Sequence, residues 1–216
     1  MKLATFLSAL LILLSAPVFA DCPQLYPKGQ TINVPNTIEL CNSVFVTRYN
    51  DKTKAVVFSA EILQPTGHQA VRINDFHADK RTQSKVTPAM YSGTGWDRGH
   101  MVPADDATNA TEMNETFLMT NLSPQRPTLN RDAWCHLEEN VRKMVAATRK
   151  PVHVITIAVY AATPALMNGI PIPTGYFKLV YFDAGTKVYY AANVDHAPVT
   201  ESTVAVLESK VGFSIH

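Results

Sequence analysis

Residues 93–106, GTGWDRGHMVPADD, contain the densest group of reactive side chains in the sequence. Asp97, Arg98, Gly99 and His100 place a carboxylate, a guanidinium and an imidazole within four positions. Histidine has an ordinary pKa of about 6.5, which suits proton transfer near neutral pH, and arginine presents a rigid fork that matches phosphate oxygens. Gly99 permits an unusual backbone conformation or a close approach to a ligand. By itself the tetrapeptide also fits an ordinary turn that carries a surface imidazole.

A second polar group follows in residues 113–142, MNETFLMTNLSPQRPTLNRDAWCHLEENVR. Asn130, Trp134 and Glu138 are spaced so that on a helix they share one face. A buried Trp134 would fix the helix and leave Asn130 and Glu138 along one edge. An amide oxygen and a carboxylate suit a hard cation such as Mg²⁺. The alternative is that Asn130 caps the helix and Glu138 is a solvated surface acid.

Together these segments resemble the DNA/RNA non-specific endonucleases of the ββα-metal fold. The likeness is continuous over residues 71–142 and rests on the motifs DRGH, TNLSPQ and N-R-x-x-W-x-x-L-E, with unchanged internal spacing. It implies an α+β fold with a mixed, mainly antiparallel central sheet and flanking helices. It also implies Mg²⁺-dependent hydrolysis of DNA and RNA with little sequence specificity, with Mn²⁺ as a substitute metal and 5′-phosphate products.

The resemblance implies a role for each matching residue. His100 looks like the general base that deprotonates the attacking water, and Asn130 looks like the direct protein ligand of Mg²⁺. Glu138 is similar to the family acid that holds metal-bound water. Arg98 is similar to the arginine that contacts phosphate. Asn121 looks like the asparagine that supports the site from the adjacent segment.

The family also has an upstream arginine that stabilises the transition state. Arg72, in VRINDF, is the candidate, and Arg81 is the alternative because the local match is loose. With His100 as the base, we expect the rate to fall on the acid side with an apparent pKa of about 6 to 7.

The rest of the sequence predicts a mixed α+β fold with an antiparallel sheet. Apolar alternation, β-branched runs, helical spacing and turn residues define its elements. They are a hairpin over residues 42–64, an irregular connection over 65–95, helices over 106–118 and 129–149, a buried strand over 152–161, a hairpin of 176–182 and 186–194 around Asp183-Ala184-Gly185, and a closing helix over 201–210.

The N-terminus has the layout of a secretory signal peptide in residues 1–20. Lys2 precedes an apolar run, and small residues precede a cut before Asp21. The run is shorter than the roughly 20 residues that cross a bilayer. We therefore expect a periplasmic or secreted protein with no membrane attachment after cleavage. Residues 21–216 would form a single non-specific endonuclease domain.

Three cysteines, Cys22, Cys41 and Cys135, suit an oxidising compartment. Cys22 and Cys41 both lie near the mature start, where a bridge would tie down a segment with few regular signals. Cys135 lies in a strongly helical stretch and is predicted to be a half-buried free thiol. The sequence does not exclude pairings with Cys135.

Composition limits the functional classes only broadly. Of 216 residues, 46% are hydrophobic and 17% are charged, which excludes a disordered chain. The formal net charge is +1, so composition gives no hint of a nucleic-acid partner. Two alternatives stay open: a non-catalytic nucleic-acid-binding protein on the same fold, and a phosphodiesterase for small nucleotides. The preference between DNA and RNA, a homodimer and an inhibitor protein are not decided by the sequence.

Overall fold

The structure is a computed structural model that describes residues 21–67 and 69–215. The predicted signal peptide, residues 1–20, lies outside the described residues. The strands are β1 Ile38–Cys41, β2 Phe45–Asn50, β3 Ala55–Leu63, β4 Asp97–His100, β5 Leu122–Gln125, β6 Val152–Val159, β7 Leu166–Met167, β8 Ile170–Pro171, β9 Gly175–Phe182, β10 Gly185–Ala192 and β11 Thr200–Glu201. The α-helices are α1 Ala110–Thr116, α2 Trp134–Thr148 and α3 Val204–Val211.

A seven-stranded sheet with the order β1-β2-β3-β6-β9-β10-β11 forms the centre of the fold. Neighbouring strands run antiparallel throughout this sheet. Strands β4 and β5 form a separate antiparallel ribbon, and β7 and β8 form another. The prediction of an α+β fold with a mainly antiparallel sheet is confirmed.

Both faces of the sheet are covered, so the fold has a helix, sheet, helix layering. Successive side chains of a strand point to opposite faces, and β6 shows the consequence. Val154 packs in one apolar cluster with Trp134 and Val145 of α2. Ile155 packs in a second cluster with Leu207 of α3. Because β6 is buried on both faces, its sequence is a nearly continuous apolar run.

Most predicted elements are confirmed with small shifts at their ends. The hairpin over 42–64 is β2 and β3, and the strand over 152–161 is β6. The second hairpin is β9 and β10, whose turn consists of Asp183 and Ala184. In its described part, the connection over 65–95 is irregular apart from a short 3₁₀ turn at Pro88–Tyr91 and a single bridge between His77 and Leu118.

Two helices begin later than predicted, and a capping side chain explains each. The helix predicted over 106–118 is limited to α1, because the Oδ1 of Asn109 accepts two backbone N–H groups and starts the helix there. The helix predicted over 201–210 begins after Thr203, whose side chain accepts a backbone N–H in the first turn. Glu201 belongs instead to β11, at the edge of the main sheet.

The predicted disulfide is present. Cys22 and Cys41 are bridged, with their Cα atoms 6.1 Å apart, and the bond ties the N-terminal turns to β1. Cys135 is a free, half-buried thiol, as predicted. Among residues 21–67 and 69–215, no helix has the length and apolar character needed to cross a bilayer.

Candidate active site

The DRGH motif lies on the short ribbon formed by β4 and β5. Gly99 is paired with Ser123, and His100 is paired with Leu122. A side chain at position 99 would place its Cβ 2.6 Å from the Cβ of Gln125, which is closer than the two atoms can lie. Glycine is therefore required by the close approach of the partner strand, and not by an unusual backbone angle.

Asn121 fixes the segment that follows His100. Its Oδ1 accepts hydrogen bonds from the Val102 amide at 3.1 Å and from the Ser59 hydroxyl at 3.2 Å. Its Nδ2 donates to the carbonyl oxygens of Val102 and Thr116, each at 3.0 Å. The side chain is completely buried and does not line the cleft. Asn121 thus supports the site, as the resemblance implies, but it is not placed to touch a substrate.

Asn130 lies in a π-helical turn, Leu129–Ala133, that leads directly into α2. Its Nδ2 donates to the Oδ2 of Asp97 at 2.9 Å, while the Nε of Arg131 donates to the same oxygen at 2.8 Å. The alternative in which Asn130 caps the helix is wrong, since its amide bonds to β4 and not to a helix N–H. Because the nitrogen is held by Asp97, the amide oxygen is left for another partner.

Glu138 lies in α2, eight residues after Asn130, and is largely buried, with 14% of its side chain exposed. Its Oε1 is 3.6 Å from the Nζ of Lys178 and has no hydrogen-bond partner within the described part of the chain. Burial raises the pKa of Glu138 to about 7; the Asp106 carboxylate adds to this, whereas Lys178 and Arg142 oppose it. The alternative of a solvated surface acid is therefore wrong.

His100 is half-buried and packs between two aromatic rings. Its ring centroid is 5.8 Å from that of Phe76 and 5.2 Å from that of Phe117. Burial lowers the pKa of His100 to about 3, and the positive charge of Arg72 contributes. Its Nε2 has no hydrogen-bond partner among the residues that the structure describes. The imidazole is therefore uncharged at neutral pH. The sequence predicted that the rate falls with an apparent pKa of about 6 to 7, and the lower pKa in the structure moves the expected fall to more acidic pH.

Two arginines line the cleft, and they are held in different ways. The Nη2 of Arg98 donates to the Pro88 carbonyl at 3.0 Å, and its guanidinium lies 4.8 Å from the ring centroid of Phe76. Arg72 is exposed and forms an ion pair with Asp105 at 3.3 Å. Because surface ion pairs of this kind are weak, the guanidinium of Arg72 is available to a phosphate.

Arg81, the alternative to Arg72, is committed elsewhere. It donates to both carboxylate oxygens of the buried Asp79, at 2.9 and 2.7 Å. It also donates to the Cys41 carbonyl at 2.6 Å, and it does not line the cleft. The structure thus places Arg72, and not Arg81, beside the DRGH histidine.

These side chains meet in one cleft of about 270 Å³. Its wall includes five of the predicted site residues, and the sixth, Asn121, lies behind it. The lining is formed by Arg72, Phe76, Asp97, Arg98, His100, Pro103, Ala104, Asp105, Asn130, Cys135 and Glu138. The two motifs, which are separate in sequence, therefore form a single site.

The family model of the DNA/RNA non-specific endonucleases matches residues 23–215 of this sequence. The chain belongs to this family.

Several proteins named as nucleases are similar in sequence to this family member. A nuclease of Nostoc sp. (strain PCC 7120) is 32% identical over 161 residues, covering 71% of this chain and 58% of the relative. The mitochondrial endonuclease G of Bos taurus is 29% identical over 178 residues, covering 73% and 59%. The alignments thus span somewhat over half the length of these relatives.

A solved structure shares the fold of this endonuclease-family chain. It is an EndoG/EndoGI complex described as showing the mechanism of EndoG inhibition, and the TM-score is 0.76 at 21% sequence identity. The match covers 92% of both chains. At this identity the likeness establishes the fold alone.

Sequence reasoning missed the charged residues behind the cleft wall. Glu61 of β3 and Lys178 of β9 are 2% and 1% exposed. Glu61 interacts electrostatically with Glu138, Asp106 and Arg142, and Lys178 interacts with Glu138, Asp106 and Glu61. Burial raises the pKa of Glu61 well above its ordinary value. A signal was present, because each residue interrupts an apolar strand, AVVFSAEIL and YFKLVYF. A single charged residue in a strand does not reveal which partner it faces.

Proposed function

We propose that this protein is an exported, Mg²⁺-dependent endonuclease that hydrolyses phosphodiester bonds of DNA and RNA with little sequence specificity. The observation that carries the proposal is the meeting of an uncharged His100 with Asn130 and Glu138 in one cleft, beside Arg98 and Arg72. Membership of the DNA/RNA non-specific endonuclease family supports the same reaction.

His100 is placed to act as the general base. The ring is uncharged at neutral pH and its Nε2 has no hydrogen-bond partner among the described residues, so this atom is free to accept a proton from water. The water oxygen would bond to phosphorus in line with the 3′ oxygen, and the P–O3′ bond would break with its electron pair leaving on that oxygen, which would take a proton from water. The products would therefore carry 5′-phosphate and 3′-hydroxyl ends. Arg98 and Arg72 would offset the negative charge of the phosphate.

Asn130 and Glu138 fit a hard divalent cation. Asp97 holds the amide nitrogen of Asn130, which leaves the amide oxygen as the donor atom that Mg²⁺ prefers. Glu138 brings a carboxylate to the wall of the same cleft, where it would hold water bound to the cation. When bound, Mg²⁺ would supply positive charge that stabilises the charge developing on the phosphate oxygens. Mn²⁺ has similar ligand preferences and would substitute.

The substrate range follows from the chemistry of the lining. The polar lining residues match a phosphate and its cation, and contacts to the phosphate backbone carry no sequence information. DNA and RNA share this backbone, so both would be cut at many sites. The Cys22–Cys41 disulfide supports an oxidising compartment, in agreement with the predicted export of the chain.

A plasmid-nicking assay of residues 21–216 tests the proposal. Supercoiled plasmid and a structured RNA are incubated with Mg²⁺ or with EDTA, and we expect cutting of both in Mg²⁺ alone. His100→Ala should slow cutting by about 10² to 10⁴-fold, the usual contribution of a general base. His136→Ala is the matched control, because His136 lies on the same helix as Glu138 but is 66% exposed and outside the cleft.

Two results would refute this function. A protein that retards plasmid in a gel but never cuts it would be a binding protein on the nuclease fold. A protein that hydrolyses a dinucleotide but leaves plasmid and RNA intact would be a phosphodiesterase for small nucleotides.

A further inference from the structure

A row of buried polar side chains crosses the face of the sheet that packs against α2. Thr47, Ser59, Thr156 and Lys178 lie directly opposite one another on β2, β3, β6 and β9. Each is at most 1% exposed. The Thr47 and Ser59 hydroxyls are 2.9 Å apart, and the Nζ of Lys178 donates to the Oγ1 of Thr156 at 2.8 Å.

The row reaches both halves of the site. Ser59, the second residue of the row, donates to Asn121, which fixes the segment after the DRGH histidine. At the end of the row the Nζ of Lys178 lies 3.6 Å from the Oε1 of Glu138 and 5.5 Å from the ring centroid of Trp134. Thr156, the Trp134 indole and the Glu138 carboxylate therefore together restrain the ammonium group.

A buried lysine in an apolar strand needs a physical explanation. Removing an ammonium group from water is costly, and an apolar side chain of similar volume is often at least as stable at such a position. Lys178 does not line the cleft, so it cannot touch a substrate. Lys178 interacts electrostatically with three acids, Glu61, Asp106 and Glu138, and of these three Glu138 lines the cleft and forms an ion pair with the ammonium.

We propose that Lys178 is a positioning residue that holds the Glu138 carboxylate in the wall of the cleft. The ammonium anchors Oε1 to the sheet through Thr156, so that the carboxylate keeps one orientation toward the cleft. The positive charge of Lys178 also lowers the pKa of Glu138, against the effect of burial. This inference rests on the role proposed for Glu138, which is to hold water bound to the divalent cation.

The test is a double-mutant cycle. For each variant, the affinity for Mg²⁺ alone is measured by titration calorimetry without substrate. Lys178→Met removes the ammonium and keeps most of the volume, and Glu138→Gln removes the charge on which Lys178 acts. We expect Lys178→Met to weaken Mg²⁺ binding and to lower kcat by about 10 to 100-fold, as is usual for residues that orient a metal ligand. In the Glu138→Gln background, Lys178→Met should have almost no further effect.

The controls separate positioning from a general loss of structure. Lys187→Met removes an exposed lysine from the neighbouring strand β10 and should leave both quantities unchanged. If Lys178→Met does not fold, Thr156→Val replaces it, because this change removes only the hydrogen bond that anchors the ammonium. A several-fold loss of Mg²⁺ affinity in the presence of Glu138, and none with Glu138→Gln, supports the inference.

Equal losses in both backgrounds, or unchanged Mg²⁺ affinity in a folded variant, would overturn the positioning role. The calorimetry needs no cleavage, so it separates this result from a failure of the proposed function. A wild-type protein that binds Mg²⁺ but never cuts nucleic acid would refute the nuclease activity and still report on the coupling between Lys178 and Glu138.

Discussion

Replacing His100 by glutamine should remove a pH-dependent part of the protein's stability. In the folded protein, burial and the nearby charge of Arg72 lower the pKa of this imidazole to about 3. In the unfolded chain its pKa returns to about 6.5. Since the folded value is the lower one, the unfolded state takes up a proton first as the pH falls. Stability is therefore lost below about pH 6.5, and the loss continues to about pH 3.

The size of the loss follows from proton linkage. Between these two pKa values one proton separates the folded and unfolded states, so the free energy of unfolding falls by about 1.4 kcal/mol for each pH unit. At pH 5 the accumulated loss relative to pH 8 is about 2 kcal/mol. The glutamine variant has no group that titrates at this position, so it should lack this pH-dependent loss of unfolding free energy.

The assay is urea unfolding of the wild type and His100→Gln at pH 8, 6.5 and 5. The acids with perturbed pKa values are present in both proteins, so the difference between the two curves isolates the histidine. We expect the wild type to lose about 2 kcal/mol more than the variant between pH 8 and pH 5. Arg72→Gln should reduce that difference, because it removes a charge that keeps the imidazole neutral. Parallel curves for wild type and His100→Gln would refute the lowered pKa.

Three further predictions concern the cation, the cleft arginine and the disulfide. Asn130→Ala should weaken Mg²⁺ binding, so that its cleavage rate recovers as Mg²⁺ is raised; wild-type metal dependence would exclude this residue as the ligand. Arg72→Gln should lower kcat without changing the melting temperature. Arg81→Gln should lower the free energy of unfolding by about 1 to 3 kcal/mol, because a buried carboxylate loses its partner. The reverse pattern would favour Arg81 as the arginine that acts on the phosphate. Reduction of Cys22–Cys41 should remove about 3 kcal/mol of stability and leave the cleft intact, and a free thiol at either position in peptide mapping would exclude the bond.

The sequence predicted the elements whose pattern is local. Strands β2, β3, β6, β9 and β10 follow from alternation and β-branched runs, because burial on a sheet imposes that pattern. The ribbon of β4 and β5 was not predicted. Its strands are four residues long and contain Gly99 and Pro124, which are unfavourable in strands, so their pairing depends on contacts between distant segments.

The π-helical turn before α2 was also missed, for a different reason. Helical spacing reports which side chains are buried, and Trp134, Leu137 and Val141 are buried as their spacing predicts. It does not report which carbonyl each amide reaches. The turn matters because it carries Asn130, whose side chain contacts Asp97 of β4.

Within the site, the family resemblance predicted that His100, Asn130 and Glu138 share one site, and they line the same cleft, but the resemblance did not predict their environment. The pKa of His100 depends on burial between Phe76 and Phe117, and these contacts exist only in the folded chain. Likewise, the choice between two candidate arginines depended on which one lines the cleft and which one is held by a buried carboxylate.

The position of the two active-site motifs gives a structural role to the buried polar residues in the apolar layer under α2. His100 is carried by the β4–β5 ribbon and Glu138 by α2, and these elements share no strand pairing. The contact between Asn130 and Asp97 joins them on the cleft side, and the main sheet supports both from behind. Ser59 bonds to Asn121 behind the ribbon, and Lys178 faces Glu138 on the helix, while the strands between them are joined by the main sheet. Because the sheet contacts both motifs through polar side chains, it fixes the separation of His100 and Glu138 more narrowly than apolar packing alone would.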